Sequence, residues 1–348
     1  MPDPRPITSV AGLLSAGLAD AAQAATLEQV AAEFRIRLTP AMQRAAADAP
    51  SGPVAAQFTP DARELLIRAE ELADPIGDQA HSPTPGLTHR YPDRVILHVT
   101  RSCAVYCRFC FRREVVGEDG ALPEAELAAA LDYIARTPAI REVILTGGDP
   151  LVLSARRLQA LIARLQAIAH LDVLRIHTRV PVVAPGRIDR AMLAALAPGR
   201  LAVWVAIHTN HARELTPEAC AALARLAAAG IPLLSQTVLL RGVNADADTL
   251  AELFRALIRN RVKPYYLHHC DLARGTGHFR TTIAEGQAIM AALRGRISGT
   301  CLPTYVLDLP GGHGKVPLGP EHVTETGPGR YRIRDWQGTS HDYRDPGD

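Results

Sequence analysis

Apolar positions along this chain recur in two alternating rhythms. Short apolar runs stand at 94–99 (RVILHV), 142–146 (EVILT), 173–178 (VLRIHT), 201–208 (LAVWVAIH), 232–239 (PLLSQTVL), 263–268 (KPYYLH) and 304–308 (TYVLD). Each reads as a β-strand, and the segments between them carry helical spacing. Helices are predicted over 124–136, from Ser154 to about 169, near 189–197, from Thr216 and Pro217 to Gly230, over 247–259 and over 282–296. Ser154 and Thr216 are N-cap residues, Pro217 suits a first helical position, and Gly230 suits a stop. Several of the runs are apolar on both faces, as buried parallel strands are. Repeated βα units imply a parallel sheet with right-handed crossovers, and about six or seven of them predict an α/β fold, a partial or full barrel. Ahead of it, residues 1–75 are Ala-rich and helical in pattern at 11–25 and 27–34, punctuated by Pro40, Pro50, Pro53 and Pro60. This N-terminal extension is expected to pack on the barrel or on a second subunit. Residues 74–94 read as a long Pro-rich loop, a length that often serves function. The barrel is assigned to 76–315 and a C-terminal tail to 316–348.

With 348 residues, 47% of them hydrophobic, the chain can bury a large core in one or two domains. The 38 basic and 36 acidic residues leave a net charge of +2 and are interspersed. Bulk electrostatics therefore give no reason to expect nucleic-acid binding. No apolar run reaches the length of a membrane span. The start, MPDPRPITSV, lacks a basic segment followed by an apolar one, so no signal peptide is expected. Six cysteines, three of them clustered, suit a reducing, cytoplasmic setting better than a disulfide scaffold.

The clustered cysteines change the picture most. Cys103, Cys107 and Cys110 directly follow the run at 94–99. They therefore sit on a loop at a strand's C-terminal end, where α/β barrels carry their chemistry. Structural zinc wants four ligands in a closed tetrahedron. A [4Fe–4S] cluster also usually takes four thiolates. Three would leave one iron open to another ligand. Past the next strand, Gly147-Gly148-Asp149-Pro150 would let backbone approach a ligand closely, or would simply be a turn. His177 and Arg179, then His208 and His211, stand at the following strand ends. A lone histidine is more often packed than functional, yet two successive polar strand ends suggest a lined cavity. Late in the chain, Gly311, Gly312 and Gly314 surround the approach to Lys315. A desolvated lysine can form a Schiff base with an aldehyde, and pyridoxal phosphate (PLP) is the obvious one.

SPTPGLTHRYPDR, CAVYCRFCFRR, LTGGDPL, TVLLRGVN, KPYYLHHCDLARGTGHFR and DLPGGHGKVP together, and in this order, resemble the lysine 2,3-aminomutase family. The resemblance covers residues from about 70 to 335. It implies a radical SAM partial (β/α)6-type barrel with an N-terminal helical extension and a short C-terminal segment. It implies a [4Fe–4S] cluster on Cys103, Cys107 and Cys110, with S-adenosylmethionine (SAM) chelated at the open iron and PLP on Lys315. Gly147 and Gly148 match the segment that holds SAM's amino group. Asp149, His208, Tyr91, Arg94 and Gln236 fall among the implied cofactor-binding residues. Arg112 matches the arginine that takes the substrate α-carboxylate, and Asp271 and Asp308 the pair that holds the distal ammonium. A guanidinium fork suits a carboxylate, and a buried ammonium needs compensating charge. The implied activity is that of an isomerase: hydrogen leaves C3 of L-lysine, the amino group moves from C2 to C3, and hydrogen returns at C2 to give β-lysine. L-lysine, a reductant such as flavodoxin or ferredoxin, and a possible homo-oligomer are the implied partners, with no nucleic acid and no membrane.

Two departures qualify the resemblance. Long members of the family bind zinc through cysteines of a C-terminal extension. This chain has no cysteine after Cys301 and carries Asp246 where those members have one, so no structural zinc is expected. The short length resembles the branch that makes β-lysine for elongation factor P, but the intact DLPGGHGK favours free lysine. A glutamate aminomutase is disfavoured because two aspartates would repel a side-chain carboxylate. A non-catalytic SAM- or PLP-binding paralogue is disfavoured because no cluster cysteine is lost and Lys315 is kept. Cys220, Cys270 and Cys301 are expected to be small packed side chains.

Overall fold

The computed structural model describes residues 5–117 and 120–345. The arm begins with α1 (Val10–Ser15), α2 (Ala24–Glu33) and α3 (Pro40–Ala47). The single helix expected over 11–25 is broken, because the chain turns at Gly17 (φ +66) and the Asp20 carboxylate caps a fresh turn by accepting the Ala22 N–H. The body then runs β1 (Leu87–Tyr91), β2 (Arg94–Thr100), α4 (Glu124–Ala135), β3 (Glu142–Gly147), α5 (Ala155–Gln166), β4 (Val173–Thr178), α6 (Val180–Val183) and α7 (Arg190–Ala195). It continues β5 (Ala202–His208), α8 (Pro217–Ala228), β6 (Leu233–Leu239), α9 (Ala247–Arg259), β7 (Val262–His269), α10 (Ile283–Leu293), β8 (Thr304–Leu309) and β9 (Gly314–Pro317). Three exposed strands follow, β10 (Val323–Gly327), β11 (Arg330–Arg334) and β12 (Ser340–Arg344), in an antiparallel meander.

Strands β1 to β9 form one nine-stranded sheet in sequence order. From β2 to β8 the neighbours are parallel, while β1 and β9 are antiparallel edges. The loop expected over 74–94 thus contains an edge strand. LTHRY alternates as a strand should, but Pro83, Pro85 and Pro92 crowd it and hide the signal. The outer face of the sheet is mostly apolar, with Ser235 and Thr237 of β6 as buried exceptions. Leu97, Leu145, Leu174, Val205 and Leu267 belong to the same buried core as Ile134, Leu158, Leu223, Phe254 and Leu257 of the helices. That burial curls the sheet. Its inner face is mixed: Thr146, His177, His208, Gln236, His268 and Asp308 line a cavity there. Strands that read as apolar on both faces therefore carry polar residues inward, where they are available for chemistry. No helix among the described residues is long and apolar enough to cross a membrane.

Candidate active site

The cysteine loop leaves β2 at its C-terminal end and is clamped by the N-terminal arm. Tyr106 N–H donates to the Arg37 carbonyl (3.0 Å) and Arg108 N–H to that of Gln57 (2.8 Å). The Arg108 guanidinium, wholly buried, pairs with the equally buried Glu64 (2.6 Å), and Arg113 pairs with the same carboxylate. So clamped, Cys103, Cys107 and Cys110 line one cavity of about 220 Å³, and among the described residues no group of three or more His, Cys, Asp or Glu is placed to hold a single metal ion. Each sulfur has an N–H beside it: the Asp149 backbone for Cys103, Arg179 Nη1 (2.8 Å) for Cys107, and the Arg112 backbone for Cys110. Burial pushes all three thiols up, Cys110 to about 11, and the neighbouring sulfurs add to the rise at Cys103 and Cys110. Buried cysteines whose thiolates would repel one another, with N–H donors aimed at them, become favourable as thiolates once a cationic centre joins them. The donor set therefore fits an iron–sulfur cluster spread across three sites.

Across the cavity, the turn after β3 touches this loop. A Cβ on Gly148 would lie 2.2 Å from the Ser102 carbonyl oxygen, so only glycine admits the approach. The Asp149 carboxylate is occupied within the protein: it accepts from the Thr178 hydroxyl (2.6 Å) and the N–H groups of Arg179 (2.7 Å) and Leu151 (3.0 Å). Its backbone N–H, not its side chain, faces the sulfurs. His177 and His208 each leave a buried Nε2 without a partner, and both line the cavity. Burial, with neighbouring cations second, holds both well below the usual histidine range, so they are neutral. Such orphaned nitrogens are costly unless a ligand meets them. His211, which the sequence set beside His208, instead accepts the Arg213 N–H and caps a turn.

The β8–β9 turn brings Lys315 to the same cavity. Its Nζ donates to Asp308 Oδ1 (2.6 Å), and His268 Nδ1 lies 3.5 Å from Asp308 Oδ2. Burial opposes ionisation of Asp308, yet His268 and the Lys315 ammonium overcome it and hold the carboxyl well below its usual range. Asp271, two residues past β7, also lines the cavity. Burial, then the charge of Asp308, pushes it up to about 7. Arg112 reaches in from the cysteine loop with its guanidinium fixed by Asp78 (2.8 Å).

A cluster-type cysteine triad and a lysine of matching setting thus open into one space. Residues 97–254 match the radical SAM superfamily profile and 290–348 the lysine-2,3-aminomutase profile. The L-lysine 2,3-aminomutase of Clostridium subterminale is 44% identical over 85% of this chain and 71% of its own. The chain belongs to the lysine 2,3-aminomutase family. The L-lysine 2,3-aminomutase of Fusobacterium nucleatum is 43% identical over 84% of this chain and 69% of its own. The glutamate 2,3-aminomutase of Clostridioides difficile is 40% identical over 79% of this chain and 65% of its own. A solved radical SAM methyltransferase from Sphaerobacter thermophilus aligns with a TM-score of 0.44 and 21% identity over 64% of this chain and 68% of that one.

Of the residues the family resemblance singled out, Tyr91 and Arg94 alone are outside the cavity lining. Tyr91 instead accepts the Lys315 N–H on its hydroxyl (2.8 Å). Arg94 lies over the Tyr91 ring at 3.8 Å and pairs with Asp93. Tyr91 thus ties down the lysine's strand, and Arg94 packs on Tyr91. Family resemblance and local pattern left Glu64, Gln57, Asp78, Glu214 and His268 unassigned. His268 could have been read from the alternation of β7. The others are polar residues in turns: Glu64 and Glu214 carry local capping roles, but the arginine each of them pairs with, and the partners of Gln57 and Asp78, lie far off in sequence.

Proposed function

We propose that the protein is an L-lysine 2,3-aminomutase, an isomerase that moves the 2-amino group of L-lysine to C3 and forms β-lysine. The carrying observation is that Lys315, Arg112, Asp271 and Asp308 open into the cavity that the three cysteines line. Bound there, a [4Fe–4S] cluster with SAM would supply a hydrogen-abstracting radical, and PLP an electron-delocalising hold on the migrating nitrogen. Cys103, Cys107 and Cys110 would hold the cluster, and Lys315 the PLP, with Gln236, His208 and the turn at Gly147 and Gly148 beside them. Arg112, already oriented by Asp78, offers its free edge to the substrate carboxylate. Asp271 and Asp308 receive the distal ammonium. While the Lys315 amine is free it occupies Asp308. With PLP held by that amine, the same carboxylate would be open to the substrate's ammonium. Arg112 at one end and the aspartates at the other fix the chain between them, which selects the carbon presented for reaction, and the enclosing barrel keeps water out.

The paired aspartates also decide between lysine and glutamate, since a second side-chain carboxylate would meet like charge. An external one-electron reductant, such as flavodoxin or ferredoxin, belongs to this reading, as does a cytoplasmic setting and association with a second copy. The test is anaerobic incubation with SAM, PLP, dithionite and either amino acid. β-Lysine from lysine, with no β-glutamate from glutamate, is the expected result. The reverse outcome overturns the proposal.

A further inference from the structure

One of the three cluster-site sulfurs, Cys107 Sγ, is met directly by a charged side chain. Arg179, at the end of β4, is almost wholly buried beneath the cysteine loop. Its Nη1 donates to Cys107 Sγ (2.8 Å) and its Nη2 to Glu214 Oε2 (2.6 Å) and to Gln57 Oε1. The other Glu214 oxygen accepts from Gln57 Nε2 (3.0 Å) and from the N–H groups of Asn210 and His211 (2.9 Å each). The Arg179 backbone is fixed as well, through its N–H to Asp149 Oδ2 (2.7 Å). Its guanidinium lies 4.6 Å from the Phe58 ring centroid and 5.6 Å from that of Phe109. Elements from three parts of the chain therefore converge to hold one cation against one sulfur. A purely structural ion pair would need Glu214 alone.

We propose that Arg179 is a positioning residue that sets the reduction potential of the cluster, with Glu214 as its counterweight. This rests on the reading that the cysteines hold an iron–sulfur cluster. Hydrogen bonds to cluster sulfurs and nearby charge are the protein's means of tuning such potentials. Reduction adds one electron to the cluster and breaks no bond. A cation donating an N–H to Cys107 stabilises the added negative charge, and the buried carboxylate behind it partly cancels that effect.

The opposite signs of these two contributions define the test. Wild type, Arg179→Gln, Arg179→Lys and Glu214→Gln are reconstituted anaerobically with iron and sulfide. Iron content is measured, and the midpoint is read by EPR during a dithionite titration without SAM. With iron content equal to wild type, Arg179→Gln shifts the midpoint to more negative values, Arg179→Lys falls between, and Glu214→Gln shifts it to more positive values. An unchanged midpoint in Arg179→Gln, or shifts of the same sign in the Arg179→Gln and Glu214→Gln variants, overturns the proposal. If Arg179→Gln alone fails to hold iron, the sign of the Glu214→Gln shift decides: positive supports, zero or negative overturns. Loss of iron from every variant overturns it too, since a merely structural cluster of residues gives that result. A wild-type protein that binds no cluster would instead defeat the underlying functional reading.

Discussion

Asp271 shows how far a single carboxyl can be displaced by its neighbours. Buried and facing Asp308, it is raised from 3.8 to about 7. A raised carboxyl pKa stabilises the fold only where the group is protonated. Its contribution is fully present below about pH 4 and is lost as pH rises through 7. Asp271 is therefore a burden on the empty protein at pH 8. Replacing it with asparagine should raise the melting temperature, and by more at pH 8 than at pH 5, as scanning calorimetry at the two values would show. If Asp271 holds the substrate as proposed, the same change should sharply reduce lysine turnover, because the ammonium loses one of its two counter-charges. Under the proposed function, the substrate's ammonium needs Asp271 ionised. The KM for lysine should rise as pH falls below about 7, while an Asp271→Asn variant, if it retains any turnover, should lack that limb of the profile. On this proposal the two readouts move in opposite directions, stability up and turnover down.

At the scale of elements, the cysteine loop depends on an arm that precedes it by dozens of residues. Glu64 is fully buried, accepts from Arg108 and Arg113, and also takes the Asp61 N–H (2.8 Å). Removing one partner of a buried ion pair costs about 3–5 kcal/mol. Glu64→Gln should show a loss of that order in urea unfolding, and the purified protein should reconstitute less iron per chain than wild type. Nothing in ARELLIRAE announces this role, because its partner Arg108 is separated from Glu64 by 44 positions. The legible elements were those whose signal is local. Ser154 caps α5 and Thr216 caps α8 through side-chain oxygens, and the outward positions of most barrel strands are apolar. β9 was missed because four residues after a Gly-rich turn carry too little pattern. The meander from β10 to β12 was missed because its residues are mostly exposed, which leaves no buried stripe to read. The site was legible on the same terms: the cysteines and Lys315 stand in local motifs, whereas Gln57 and Glu214 acquire their meaning only when Arg179 comes between them.

The molecule as a whole is a curled sheet that stops short of closing, and the residue on which PLP chemistry would depend lies on its last strand. β1 and β9 do not pair. The seam between them is bridged by the Tyr91 hydroxyl, which accepts the Lys315 N–H, and at the mouth by the turn around Gly77 pressed onto the Gly311–Gly312 backbone. These two contacts differ in kind. Tyr91→Phe deletes one hydrogen bond, about 1 kcal/mol, and leaves the Arg94 stack able to hold the ring in place. Gly77→Ala is harsher: the new Cβ would sit 2.5 Å from the Gly312 nitrogen, and the φ of +67 is itself unfavourable for alanine. The colliding atoms are backbone on both sides, so the turn must move away from β9. Hydrogen exchange should then separate the two variants. Tyr91→Phe should speed exchange chiefly at the Lys315 amide, whereas Gly77→Ala should speed it throughout 310–317 and also lower the fraction of protein that borohydride fixes to PLP. Both should leave β3 to β6 as protected as in wild type, since those strands are buried between neighbours and lie far from the seam. Equal loosening of β3 to β6 would mean that the barrel opens as one body, and that the lysine strand is not an independently hinged edge.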